Sequence, residues 1–272
     1  EIGVRLVGSE MCIRDSLMKQ KILVAGGTGY IGSHTTVELQ NAGYEVVIID
    51  DLSNSNIEVL DGIERITGIR PEFIKLDLKD KEGTREALKA HPGIKGIILF
   101  AASKAVGESV QQPLKYYRNN VVTLVNLLEL MPEFNIEGIV FSSSCTVYGQ
   151  PDPENLPVTE NAPIKPATSP YGNTKQINEE IIRDTIHAGA PFKSIILRYF
   201  NPIGAHPTAE IGELPNGVPQ NLIPYLTQTA MGIRKELSVF GDDYDTPDGS
   251  CIRDYILSLI HISEPTRRTP IS

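Results

Sequence analysis

Tyr171 and Lys175 stand four residues apart in the run Ser169-Pro170-Tyr171-Gly172-Asn173-Thr174-Lys175. That spacing puts two side chains on one face of a helix. Ser169 is a good N-cap and Pro170 suits the first helical position, so the run predicts its own helix start. A tyrosine is ordinarily a poor base near neutral pH, because its free pKa is about 10. A lysine ammonium beside it and the positive end of the helix both stabilise the phenolate, and can together make Tyr171 a general base. Upstream, Ser142-Ser143-Ser144 closes a β-rich run. Ser144 is then expected at the carboxyl edge of a sheet, where ligands bind in open α/β folds. There its hydroxyl can hydrogen-bond a reacting oxygen and smooth the proton transfer. A tyrosine and a lysine at this spacing are also what an amphipathic surface helix carries, so the choice between the two readings falls to the residues upstream.

Those residues include Gly26-Gly27-Thr28-Gly29-Tyr30-Ile31-Gly32, directly after the apolar run Lys21-Ile22-Leu23-Val24-Ala25 and before a helical stretch. Glycines Gly26, Gly29 and Gly32 answer three needs: a tight turn, close approach of backbone to a pyrophosphate, and close packing of helix on strand. The helix start offers unpaired N–H groups and partial positive charge to the phosphates. The next strand ends in Asp50. A carboxylate there accepts from ribose hydroxyls and repels a 2′-phosphate, so the expected cofactor is NAD rather than NADP. With that site upstream, Lys175 would hold the nicotinamide ribose, and the positive ring would add to the stabilisation of the Tyr171 phenolate. Asp77, after Phe73-Ile74-Lys75-Leu76, could cap a loop over the adenine or simply cap a helix.

The elements needed to position these groups are legible as an alternation. β-rich runs fall at residues 21–25, 45–50, 72–76, 96–101, 138–142 and 193–199, with helical segments between most of them, the first at 33–41 and ended by Gly43. Continuous apolar strands separated by helices predict an α/β fold, a Rossmann-like doubly wound parallel sheet covered on both faces. From Pro202 onward the texture turns to loops rich in proline and glycine, which predicts a smaller, incomplete substrate-binding lobe. The expected division is a non-native or disordered leader at 1–17, with Met18 as the natural start, an NAD-binding domain at 18–199, the incomplete lobe at 200–257 and a non-native tail at 258–272.

The net charge of −9 over 272 residues argues against sequence-independent binding to nucleic acid and against docking on anionic membranes. No run is long and apolar enough to span a bilayer. Cys12, Cys145 and Cys251 are far apart and lack metal-ligand spacing, so no metal is expected and a reducing, cytoplasmic home is.

Several longer segments carry a resemblance: Gly26-Gly27-Thr28-Gly29-Tyr30-Ile31-Gly32-Ser33-His34, Lys104-Ala105-Val106-Gly107-Glu108-Ser109-Val110, Phe141-Ser142-Ser143-Ser144-Cys145-Thr146-Val147-Tyr148-Gly149, Arg198-Tyr199-Phe200-Asn201-Pro202-Ile203-Gly204-Ala205-His206-Pro207 and Cys251-Ile252-Arg253-Asp254-Tyr255-Ile256. On these the chain resembles the extended short-chain dehydrogenase/reductase family, in its branch of nucleotide-sugar 4-epimerases, over about residues 18–256. The resemblance implies that Ser144, Tyr171 and Lys175 form the catalytic group. It implies an NAD site of Tyr30, Ile31, Asp50, Asn54, Ser55, Asp77, Leu78, Phe100, Ala101, Lys104, Asn119 and Phe200, besides the glycines. It implies UDP-sugar contacts from Asn201, Asn221, Leu222, Phe240 and Arg253, with Ser144 and Tyr171 at the sugar. Arg253 suits a diphosphate and Phe240 the uracil face, though Phe240 could equally be a core residue and both asparagines turn formers.

The implied reaction is interconversion of UDP-glucose and UDP-galactose through a 4-keto sugar, with the full-length form a homodimer. Leu99 departs from the histidine usual before Phe100-Ala101. The match stops after Ile256, so a second phosphate-binding arginine is not matched, and sugar turnover is expected to suffer more than NAD binding. A nucleotide-sugar 4,6-dehydratase ranks second, since Cys145 and Thr146 stand where that chemistry needs an acidic pair. A plain alcohol dehydrogenase ranks third, because the proline-rich stretch 150–170 leaves room for a large substrate. A truncated, non-catalytic NAD-binding protein is the alternative outside enzymes.

Overall fold

A computed structural model of the chain describes residues 19–239 and 241–257. The expected leader at 1–17, Met18, Phe240 and the expected tail at 258–272 lie outside the described residues.

Six strands form one parallel sheet: β1 (Lys21–Ala25), β2 (Glu45–Asp50), β3 (Glu72–Lys75), β4 (Ile94–Leu99), β5 (Gly138–Ser144) and β6 (Lys193–Tyr199). Their order is β3-β2-β1-β4-β5-β6, and every pairing is parallel. The helices between them are α1 (Tyr30–Asn41), α2 (Val59–Thr67), α3 (Lys81–Ala90), α4 (Val106–Gln111), α5 (Pro113–Leu130) and α6 (Pro170–His187).

Side chains alternate across a strand with period two, which explains how continuous apolar runs serve both faces. Leu23, Ala25, Val47 and Ile49 enter one core cluster with Leu124, Leu127 and Ile182 of α5 and α6. Val24, Val46 and Ile48 enter the other, with Val37 of α1 and Leu60 and Ile63 of α2. This two-sided burial is the expected doubly wound arrangement. Leu99 is buried in the first cluster.

Some boundaries differ from the sequence reading. Helix α1 begins at Tyr30 rather than at residue 33, because Gly29 takes the extended N-cap conformation. Strand β4 runs Ile94–Leu99 rather than 96–101. The amides of Phe100 and Ala101 both turn to Ala25 O, at 2.8 and 2.9 Å, and so leave the ladder. Strand β5 continues to Ser144, two residues past the expected 142, through pairing with Arg198 and Tyr199.

After β6 the chain forms a short parallel pair, β7 (Asn201–Ile203) with β8 (Tyr255–Leu257), and helix α7 (Leu222–Ala230). The loop after β7 folds back on the larger unit. Ile211 is buried in the cluster with α1 and α2, and Arg65 pairs with Glu210 at 2.6 Å. Gly62 permits this approach, since a Cβ there would lie 2.6 Å from Glu210 O. Among the described residues, no helix is long and apolar enough to cross a membrane.

Candidate active site

Parallel strands bring their carboxyl ends to one edge, and β1 lies where the strand order reverses, between β2 and β4. In such sheets the crevice at that point receives the ligand. The glycine loop occupies it. Gly26 has φ +82°, and a Cβ on it would stand 2.6 Å from Ala101 N. A Cβ on Gly32 would meet Gly26 O at 2.1 Å, and one on Gly27 would meet the Ile48 side chain at 2.7 Å. No side chain caps the start of α1 at Gly29. The loop is therefore a backbone-lined cradle, packed too closely on itself, Ala101 and Ile48 to carry side chains, next to a helix start without a side-chain cap. Those are the features a dinucleotide phosphate requires.

Asp50 closes this cradle on the β2 side. Its Oδ2 accepts from Thr28 N at 3.2 Å, and its Oδ1 from Leu52 N at 3.0 Å and Ser55 Oγ at 3.2 Å. Ser55 Oγ also lies 2.7 Å from Thr28 Oγ1. The carboxylate is thereby fixed in place by the loop it would share with a ribose. Ile31 is half-buried on α1, and Tyr30 donates its hydroxyl to Gly204 O at 2.5 Å. Asn54 is exposed on the loop after β2.

Asp77 does not cap α3. Asp80 does, accepting from Gly83 N at 2.9 Å. Asp77 instead pairs with Lys79 at 2.8 Å and accepts from its amide. Burial pushes the Asp77 carboxyl up, but the Lys79 ammonium and amide outweigh it and hold the group below its usual range. The helix-cap alternative for Asp77 is thus excluded. Lys79 also donates to Asn119 Oδ1 at 2.9 Å, which draws Asn119 of α5 toward the same edge. Leu78 is buried, Phe100 packs edge-on against Tyr199, and Phe200 is half-buried beside them.

Ser144, Tyr171 and Lys175 converge at the end of β5. Ser169 caps α6 as its sequence predicts, accepting from Gly172 N at 3.1 Å, with Pro170 in the first turn. Tyr171 and Lys175 then share a face. Ser144, 7% exposed, stands close enough to the Tyr171 phenol to act on its titration. Lys175 Nζ donates to Ser142 O at 2.6 Å and stands 5.8 Å from the Tyr171 ring centroid.

The electrostatics differ from the expected lowering of the tyrosine by its lysine. Burial pushes the Tyr171 phenol above its ordinary value, and the Ser144 hydroxyl only partly offsets this. Lys175 is itself depressed to about 8, chiefly by burial, while the Glu179 carboxylate resists that shift. Desolvation disfavours whichever form carries charge, so both groups move toward neutrality in this enclosed setting.

The lysine shift has a consequence for stability. Lys175 titrates at about 8 in the fold against 10.5 ordinarily. Between those values the unfolded chain keeps a proton that the folded chain has released, so this group adds stability as pH rises through the window. Urea unfolding at pH 8 and pH 10 checks this. The stability of the native chain relative to Lys175→Met should improve across that interval; a difference independent of pH would contradict the assignment.

The substrate-side residues are reached through contacts that the sequence does not advertise. Glu213 accepts from Lys104 Nζ at 3.3 Å and also binds Asn221 Nδ2. It thus joins an expected cofactor residue to an expected substrate residue. Asn201 N and Nδ2 both donate to Asp254 O, at 3.3 and 2.8 Å, which brings the neighbouring Arg253 toward the end of β5. Arg253 and Asp254 lie close enough to influence the Cys145 thiol, although burial dominates and pushes it up. Leu222, the first residue of α7, is exposed. Glu179, Arg198 and Glu213 are missing from the sequence-derived site. The four-residue spacing from Tyr171 to Lys175, carried one more turn, reaches Glu179.

Residues 22–258 match the family model described as the NAD dependent epimerase/dehydratase family. Among curated relatives, the UDP-glucose 4-epimerase of Bacillus subtilis is 52% identical over 235 residues, covering 86% of this chain and 68% of that protein. The Dictyostelium discoideum UDP-glucose 4-epimerase is 50% identical over 236 residues, covering 87% and 67%. The chain thus spans about two thirds of the length of these relatives. A solved structure of the Bifidobacterium longum UDP-glucose 4-epimerase, in complex with NAD+ and UDP, superposes with a TM-score of 0.85. It is 44% identical and covers 89% of this chain and 71% of its own.

Proposed function

We infer, from the premise that the chain belongs to the NAD dependent epimerase/dehydratase family, that it interconverts UDP-glucose and UDP-galactose through a 4-keto sugar. The observation that carries this reading is the meeting of Ser144, Tyr171 and Lys175 at the sheet edge that also bears the glycine loop. Identity near one half to UDP-glucose 4-epimerases supports the substrate. NAD, when bound, supplies an acceptor for the hydride of sugar C4 and returns it, so no net oxidation results.

The protein's own residues do the rest. The cradle of Gly26, Gly29, Tyr30, Ile31 and Gly32 receives the pyrophosphate, and Asp50 with Ser55 and Asn54 takes the adenosine ribose. Asp77, Leu78, Phe100, Ala101, Lys104, Asn119 and Phe200 complete the cofactor side. Asn201, Asn221, Leu222, Phe240 and Arg253 take the UDP. Tyr171 accepts the C4 hydroxyl proton, helped by the Ser144 hydroxyl beside it. Burial holds the tyrosine's proton on, so its activation depends on positive charge arriving beside it, from the Lys175 ammonium and from the oxidised nicotinamide. Anchoring of the distant UDP is what orients the sugar for this transfer. Beyond Ser144 come Cys145, whose thiol burial keeps protonated, and Thr146. Neither supplies the acid and base of a dehydratase. The two-lobe division near residue 200, a homodimer for the full-length form and a cytoplasmic setting belong to the same proposal.

The test is direct. Purified protein is loaded with NAD, and UDP-glucose is added. A rise in the absorbance of reduced nicotinamide, together with conversion of UDP-galactose in a coupled assay, is the expected result. Release of a 4-keto-6-deoxy sugar would instead mean dehydration.

Asp50 gives a second test. Replacing it with asparagine removes the negative charge and keeps one acceptor oxygen, so one of the amides of Thr28 and Leu52, which bond separate carboxylate oxygens, loses its partner. NAD affinity should fall while NADP binding improves, narrowing their ratio by at least roughly tenfold, the scale of one charged hydrogen bond. Equal affinity of the native chain for NAD and NADP would remove the basis for this role.

A further inference from the structure

Glu179 is 1% exposed, a rare state for a carboxylate unless it is paired. Its partners come from three elements. Ser143 of β5 donates to Oε1 at 2.5 Å. Arg198 of β6 grips both oxygens, Nε to Oε1 at 3.0 Å and Nη2 to Oε2 at 2.7 Å. Arg183, one turn along α6, donates to Oε2 at 2.5 Å. Arg198 is in turn stacked over the Tyr148 ring at 4.8 Å. One turn in the other direction stands Lys175, whose Nζ bonds Ser142 O at 2.6 Å. Adjacent residues of β5 therefore hold adjacent turns of α6: Ser142 holds the lysine and Ser143 the glutamate. The strand holding them ends in Ser144.

We propose that Glu179 is a positioning residue for the reaction, its buried carboxylate, gripped by Ser143, Arg198 and Arg183 one helical turn from Lys175, locking α6 against β5 so that Tyr171, Lys175 and Ser144 stay in register. This rests on the epimerase reading only for the step in which Lys175 acts. The physical argument is one of charge placement. Lys175 and Arg198 are both drawn out of water on one side of the sheet. The Glu179 carboxylate is the counter-ion of Arg198 and Arg183 and the charge that favours the Lys175 ammonium, so its loss would leave these cations without a buried partner. Burial lowers Lys175 on balance, and Glu179 is the charge that opposes that fall. Glu179 remains ionised because Arg198 and Ser143 outweigh its own burial. The other titratable groups near the tyrosine–lysine pair are Tyr171 itself, Cys145 after β5 and Tyr116 of α5, which donates to the Glu108 carboxylate of α4 at 2.7 Å. Glu108 is a second negative charge on that side, and it is paired with Lys115 at 2.6 Å.

The test uses two variants with opposite expected signs. Lysine ε-carbon NMR of the chain, with the Lys175 signal assigned by its loss in Lys175→Arg, gives the titration of that one group. Glu179→Gln should lower its midpoint by about one pH unit, and Arg198→Gln, by leaving the carboxylate less neutralised, should raise it. Nonspecific loosening of the helix would admit water and move both variants the same way. A shared direction, or no movement in either, overturns the proposal. If Glu179→Gln fails to fold, Arg198→Gln decides alone: a rise supports the arrangement and its absence refutes it. In protein loaded with NAD, the alkaline limb of sugar-dependent nicotinamide reduction should shift with the NMR midpoint. A limb that stays fixed while the midpoint moves shows that Glu179 does not act on the reaction. If no UDP-sugar reduces the cofactor at all, the epimerase reading fails, and the two NMR midpoints still decide the charge arrangement.

Discussion

Replacing Tyr171 with phenylalanine should lower the rate at which UDP-galactose is converted by roughly 100- to 10,000-fold relative to the native chain, the usual cost of losing a general base. The change removes one oxygen and keeps the ring. The ring is what faces Lys175, with its centroid 5.8 Å from Nζ, so the local packing is retained. Cofactor binding should accordingly stay within a few-fold of the native value. The lost oxygen is the one beside Ser144, whose hydroxyl still accepts from the Thr146 amide at 3.2 Å. Sugar-dependent reduction of bound NAD, followed in a single turnover, separates this effect from product release. A variant that reduces the cofactor at nearly the native rate would mean that another group takes the proton. Ser144 would then be the nearest candidate.

How much of this was legible beforehand depends on whether a signal is local. The helix start at Ser169-Pro170, the Tyr171–Lys175 pair and the glycine loop are each written in fewer than ten consecutive residues, and each stands where its pattern puts it. The strand alternation was equally plain, because both faces of β1 and β2 are buried and the apolar run is unbroken. Glu179 shows where local reading stops. Glu179 and Glu180 are neighbours of the same type, yet the first is buried and the second exposed. What singles out Glu179 is Arg198, brought alongside by strand pairing rather than by helical spacing. Glu213 is a similar case, since its two partners, Lys104 and Asn221, belong to separate parts of the chain. Tyr171 shows a different limit. Its neighbours were readable, but the size of its desolvation was not, and burial sets the direction of its shift.

The cradle offers the other large effect, because one kind of substitution should act with opposite sign at two glycines. Gly32→Ala places a Cβ 2.1 Å from Gly26 O and 2.8 Å from Gly27 Cα. Both neighbours are backbone, so no rotamer change relieves the overlap. Either α1 withdraws from the loop or the loop unfolds from β1. Overpacking of this kind costs about 1–3 kcal/mol, and the loop that must move is the one expected to hold the pyrophosphate. NAD affinity should therefore fall by roughly 10- to 100-fold along with stability, the same energy expressed as a ratio. Gly107 in α4 is the control. A Cβ there meets nothing within 4 Å, and its φ is not positive. Gly107→Ala, in the first turn of a short helix, should stabilise the chain by a few tenths of a kcal/mol, about half or less of the helix-interior value, with NAD binding unchanged. Urea melts and calorimetry on both variants give the comparison. If Gly32→Ala binds NAD as well as the native chain, the closeness of α1 to the loop is not what makes the cofactor site, and the assignment of the cradle would have to be given up.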